Sequence, residues 1–148
     1  MQERLSVYDS AEVNSVVAFP TFSVTIVPCL RDNYAYLLTA PGSARGDAAI
    51  VIDAGEAAPV NAALAGPRLG AILATHHHLD HVGGHRELLE KASDIPVFGS
   101  AYDGAEGRMF GQTHRLQDGE TVEFPLGNGT VRVQALHVPG HTLGALAY

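Results

Sequence analysis

Apolar and polar residues alternate along Phe22-Ser23-Val24-Thr25-Ile26-Val27, and this period-two, β-branched run predicts a strand. Asn33 to Thr39 reads as a second strand, followed by the turn-rich connection Pro41-Gly42-Ser43-Ala44-Arg45-Gly46-Asp47. Ala48 to Ile52 is apolar throughout, the pattern of a strand covered on both faces. Pro59 to Ala65 predicts a short helix closed by Gly66-Pro67, and Ala71 to Ala74 a central strand. Residues 83–92 predict a helix that buries Leu88 and Leu89, and Pro96-Val97-Phe98-Gly99 a short strand. Ser100 to Gly111 holds three glycines and reads as an irregular loop. Thr121 to Phe124 and Thr130 to Leu136 predict antiparallel strands across Gly127-Asn128-Gly129. Strands mixed with covering helices indicate a layered α/β fold. Residues 1–20 read as an N-terminal extension ending at Pro20, and 21–148 as one domain.

Composition narrows the partners. Apolar residues make up 46% of the 148, so the chain can bury a core. Sixteen acidic against nine basic side chains give a net charge of −7, which argues against nucleic acid or an anionic membrane surface. An anionic small substrate stays open, because a bound metal inverts the local field. Cys29 is the single cysteine, which rules out an intrachain disulfide and agrees with a reducing, cytoplasmic location. Its reading is a buried apolar thiol. Glu3, Asp9 and Glu12 near the start, with no basic-then-apolar block, argue against a secretory signal. No apolar run approaches the ~20 residues that cross a bilayer.

The candidate chemistry lies in Thr75-His76-His77-His78-Leu79-Asp80-His81, directly after the Ala71–Ala74 strand. Imidazole and carboxylate are the donors that zinc-like ions take. In an extended segment residues i and i+2 share a side, so His76 and His78 can chelate one ion while His77 faces away as a spacer or solvent-facing residue. Asp80 and His81, at the start of a turn into helix, can reach a second ion roughly 3.5–4 Å from the first. Far downstream, Pro139-Gly140 makes a tight turn that can thrust His141 out as a third imidazole for the first ion. Three protein donors leave a position open for water, as catalysis requires. His137 is left unassigned between packing and a supporting role. Asp53 ends a buried strand and is either a turn-forming residue or an acceptor that orients a ligand imidazole.

These segments resemble the metallo-β-lactamase superfamily: T-H-H-H-L-D-H, then Val82-Gly83-Gly84, then P-G-H-T. Val27-Pro28-Cys29-Leu30-Arg31-Asp32-Asn33-Tyr34-Ala35-Tyr36-Leu37-Leu38 is similar to the opening strands of the glyoxalase II family, the hydroxyacylglutathione hydrolases, with D-N-Y-x-Y-L its more diagnostic core. Ala49-Ile50-Val51-Ile52-Asp53-Ala54-Gly55-Glu56 resembles the superfamily's third strand and turn. The resemblance runs from about Thr25 to the end. It implies the first half of an αββα sandwich, with His76, His78 and His141 on one metal and Asp80 and His81 on a second. It implies a role near the site for Asn33 and Tyr34. His85 departs from the Asn usual in glyoxalase II, as a spare donor or a helix-surface residue. The family's bridging aspartate and last histidine fall after P-G-H-T, so the chain to Tyr148 is expected to be an N-terminal portion with an incomplete second site.

The expected activity is thioester hydrolysis: S-D-lactoylglutathione and water giving glutathione and D-lactate. The nucleophile is hydroxide formed on two divalent ions, and Asp80 orients it. Zinc is the first choice of metal, with iron and manganese as alternatives. The partner is a small glutathione thioester. Competing expectations are a mono-iron persulfide dioxygenase, another hydrolase of the same fold, or a non-catalytic metal-binding fragment.

Overall fold

The sheet changes from antiparallel to parallel halfway across, and that change decides where the polar loops gather. The computed structural model describes residues 14–148. Strands β1 (Ser15–Ala18), β2 (Ser23–Cys29), β3 (Asn33–Thr39) and β4 (Ala48–Ile52) form an antiparallel meander. Strands β5 (Arg68–Leu73), β6 (Val97–Ser100) and β7 (His114–Leu116) then add parallel to β4, completing a seven-stranded sheet in chain order. Because β4, β5 and β6 run the same way, the loops that leave them emerge together at one end. In parallel α/β sheets that end is where ligands bind.

Helices α1 (Ala57–Leu64), α2 (Leu79–Val82) and α3 (His85–Lys91) supply the crossover connections, and α4 (Ala101–Ala105) follows β6. One face of the sheet buries Val27, Leu37, Val51 and Ile72 against Val60 of α1 and Leu88 of α3. The opposite face packs Ile50, Ala71, Leu73 and Phe98 against Phe124 and Leu126. These last belong to the hairpin β8 (Thr121–Leu126) and β9 (Gly129–Gln134). Alternate residues of β4 thus serve two cores, which is why that strand is apolar throughout. β5 carries an extra residue at Gly70, where pairing slips from Ala49↔Leu69 to Ile50↔Ala71. This bulge lets Leu69 join the helix-side core together with Ile72. A cavity of about 570 Å³ remains between the sheet and the hairpin, bordered by Phe22, Leu38, Ile52, Val131 and Tyr148. A short ribbon, β10 (Leu136–His137) with β11 (Leu146–Ala147), finishes the chain.

Several expectations change. Ser15–Ala18, expected in the extension, is an edge strand whose Ser15 pairs with Ile26, while residues 1–13 lie outside the described residues. The expected 83–92 helix is α3, at His85–Lys91, and a separate short helix, α2, precedes it at Leu79–Val82. Part of the Ser100–Gly111 loop is α4, because Ser100 Oγ accepts a hydrogen bond from the Asp103 N–H and caps it (3.0 Å). Strand β7 gave no apolar signal, and pairing with β6 makes it.

Candidate metal centre

The loop from Thr75 to His81 leaves the end of β5, and Asp53 holds its first residue. Asp53 sits just past β4 in the left-handed region (φ 58°), a conformation Asp tolerates better than most residues. Its Oδ1 accepts from the Thr75 N–H (2.7 Å) and its Oδ2 from the Thr75 hydroxyl (2.8 Å). His81 Nδ1 lies 3.0 Å from the same Oδ2. One buried carboxylate thereby ties the end of β4 to both ends of the loop.

This network sets the tautomer of His76. The single Thr75 hydroxyl proton goes to Asp53, so Thr75 Oγ1 can only accept from His76 Nδ1, 3.0 Å away. Nδ1 then carries the ring proton and Nε2 presents a lone pair. That Nε2 is buried and has no hydrogen-bond partner. Burial, with the charges of His81 and His78 next, pushes the His76 pKa down to about 4, so the ring is neutral at pH 7.

His141 arrives from the other side. Leu146 N–H donates to Thr75 O (2.9 Å) and the Tyr148 hydroxyl to Ala74 O (2.9 Å), lashing the last residues to the end of β5. The turn between β10 and β11 then carries His141 over the loop, with its Nε2 3.0 Å from His78 Nδ1. One ring nitrogen from each of His76, His78 and His141 lies within 4.8 Å of the others. Nitrogens on a tetrahedral ion at about 2.0–2.1 Å sit a little over 3 Å apart, so the rings would draw together to close on one. An orphaned lone pair, a neutral ring and three converging nitrogens fit a divalent cation.

Beside it, Asp80 Oδ2 and His81 Nε2 face each other at 3.4 Å. With His81 Nδ1 directed at Asp53, both facing atoms are acceptors, an arrangement that a cation or a shared proton relieves. Accordingly, hydrogen bonding to Asp53 raises the His81 pKa. Asn33 Nδ2 donates to Asp80 Oδ2 (2.8 Å) and to Asp80 O (3.2 Å), and this lowers the Asp80 pKa. Gly55 is required beneath the loop, since a Cβ there would overlap the Asp80 carbonyl oxygen.

The five expected donors therefore meet at one end of the sheet, and Asp53 contacts the loop. His77, expected as a spacer or solvent-facing residue, instead meets α4: its Nδ1 lies 2.9 Å from Asp103 Oδ1. His85 is wholly buried under Phe110, whose carbonyl oxygen lies 3.4 Å from its Nδ1, and is not on the helix surface. Tyr34 is 47% exposed. His137 Nε2 meets Leu143 O (2.8 Å) and braces the turn that carries His141. Burial pushes the Cys29 thiol pKa up, as for an inert apolar thiol. Sequence reasoning missed Thr75 and Asp103. The threonine was visible inside the motif, whereas nothing local marks the aspartate.

Residues 30–148 match the Metallo-beta-lactamase superfamily, and the chain belongs to it. Within that class its similarity is to curated hydroxyacylglutathione hydrolases. It is 50% identical over 124 residues to that of Synechococcus sp. (strain JA-2-3B'a(2-13)), covering 82% of this chain and 46% of that protein. It is 47% identical over 121 residues to that of Gloeobacter violaceus (strain ATCC 29082 / PCC 7421), covering 80% and 44%. The chain spans about half the length of the curated relatives it matches. Among solved structures, the BLEG-1 B3 metallo-beta-lactamase shares the fold (TM-score 0.60, 22% identity, covering 83% of this chain and 65% of that one). So does the metallo-beta-lactamase SMB-1 (TM-score 0.58, 25% identity, covering 83% and 53%). No helix among the described residues is long and apolar enough to cross a membrane.

Proposed function

We propose that this site serves metal-dependent hydrolysis of a glutathione thioester, the activity for which the curated relatives are named, with S-D-lactoylglutathione as substrate and glutathione and D-lactate as products. The observation that carries this reading is the convergence of His76, His78 and His141, with the Asp80–His81 pair beside them. His76, His78 and His141 would hold one divalent ion, and Asp80 and His81 would contribute to a second. Zinc is the metal this mixed imidazole–carboxylate set suits best. When bound, such ions supply Lewis acidity, bringing the pKa of a water toward neutrality and polarising the thioester carbonyl.

The chain's own residues supply orientation. Asp80, its pKa lowered by the Asn33 hydrogen bond, would accept a hydrogen bond from the attacking water and aim its lone pair at the carbonyl carbon. Asp53 fixes His81, and Thr75 fixes the tautomer of His76. Water attack needs no side-chain nucleophile, in keeping with the raised pKa of the buried Cys29 thiol. Removal of methylglyoxal-derived thioesters in the cytoplasm is part of the same reading, supported by the lone cysteine.

Loss of the thioester absorbance of S-D-lactoylglutathione, followed with zinc-loaded protein, tests the assignment. Turnover that disappears in His141→Ala supports it, and no turnover above buffer with metal fully bound rejects it. A second reading has one supporting observation. Only two donors, Asp80 and His81, face the second position among the described residues. On that reading this chain binds one ion at the histidine triad and does not turn over substrate.

A further inference from the structure

Between the two ligand-bearing turns lies a carboxylate that the chemistry above does not use. Asp103 of α4 is wholly buried, and neither of its oxygens makes an aligned hydrogen bond. A buried carboxylate is costly to keep unless its neighbours compensate for the lost water. Those neighbours are informative. His77 Nδ1 stands 2.9 Å from Asp103 Oδ1, and the Arg108 guanidinium 3.8 Å from the same oxygen. On another side lies Gly144, three residues after His141. A Cβ on Gly144 would come within 2.8 Å of Asp103 Oδ1 and 2.7 Å of Ser100 Oγ. Only glycine lets that turn rest so close to the carboxylate. Ser100 Oγ in turn accepts from the Asp103 N–H, which fixes the start of α4.

Asp103 therefore touches both segments that must meet. His77 is the residue between His76 and His78. The backbone bends through Thr75, His76 and His77, so holding the His77 ring against Asp103 fixes the course of the segment that presents His76 and His78. The Gly144 approach seats the turn that carries His141 against the same carboxylate.

We propose that Asp103 and His77 are positioning residues for the histidine triad, a single buried anchor that registers the loop after β5 against the turn that follows β10. This inference rests on the reading that His76, His78 and His141 hold an ion. His77 would then be neither ligand nor spacer.

Cobalt(II) titration of the full 148-residue chain tests it. Affinity is read by competition and site geometry by the visible absorption bands, with circular dichroism on the same samples reporting folding. The unaltered chain is expected to bind at the triad, and His141→Ala to lose that binding. Asp103→Asn and His77→Leu are expected to bind about tenfold or more weakly with shifted bands, whereas His77→Gln, whose polar amide can face Asp103 in place of the imidazole, should return to within about threefold. Unchanged affinity and bands in Asp103→Asn and His77→Leu would overturn the proposal, as would identical behaviour of His77→Leu and His77→Gln. Should Asp103→Asn fail to fold, the two variants at partly exposed His77 decide alone. If the unaltered chain takes up no cobalt, or His141→Ala binds as well as it does, the metal reading itself falls and this inference falls with it.

Discussion

The protonation state of His76 is fixed by an adjacent hydroxyl and by burial, and this has a measurable consequence for the metal-free chain. Its pKa is held at about 4 against an ordinary 6.5, and that of buried His85 is lowered as well. Between those pH values the unfolded chain binds a proton that the folded His76 refuses, and His85 acts in the same direction. They therefore contribute stability that is fully present above about pH 6.5 and is lost as pH falls toward 4. His81 acts in the opposite sense, since its raised pKa contributes stability below 6.5 that fades as pH rises through the folded value. Two lowered groups, one of them wholly buried, outweigh one raised group. The melting temperature of metal-free protein is expected to drop from about pH 7 to about pH 4.5, with a shallower slope in His85→Asn. A level profile would contradict this. In Asn33→Ala, Asp80 loses the donor that chiefly lowers its pKa, so its carboxyl resonance should titrate at higher pH than in the parent. The donors at 76, 78, 80 and 81 were legible in sequence because one short segment carries them. Asn33 was marked near the site only through the family resemblance, and Asp103 not at all, because each acts on a residue 47 or 26 positions away that only the folded sheet brings near.

Two junctions between elements are tight enough to test. Gly84, between α2 and α3, has no room for a side chain: a Cβ would meet Ala57 N at 2.7 Å and Ala54 O at 2.8 Å. Backbone cannot swing aside as a flexible side chain can. Gly84→Ala is expected to cost about 1–3 kcal/mol in urea denaturation and to weaken metal binding by displacing α2. At α4, Ser100→Ala removes the cap and should cost about 1 kcal/mol. The long or strongly patterned strands, β2, β3 and β4, were readable because their alternation or full apolarity reflects which faces are covered. β1 and β7 were not, because three or four residues carry too little period and take their form from a neighbour's edge. The helix α4 was obscured because Gly104 within it and Gly107 and Gly111 after it outweighed a cap that a serine three residues before Asp103 could have signalled.

For the molecule as a whole, a bound ion counts as part of the fold. At a hundredfold excess over its dissociation constant it should add about 2.7 kcal/mol to unfolding, read as a rise in melting temperature that a chelator reverses. The ribbon and hairpin layer meets the sheet across a cavity, so this stabilisation is not spread evenly. His78 belongs to the sheet's own loop, while His141 lies 63 residues further along, beyond the entire hairpin. An ion shared by the two cross-links the protein much as a disulfide would, in a chain that has no second cysteine to make one. Metal release and lifting of the hairpin then become a single event, so the dissociation rate of the ion and protease cutting between 117 and 135 should rise and fall together.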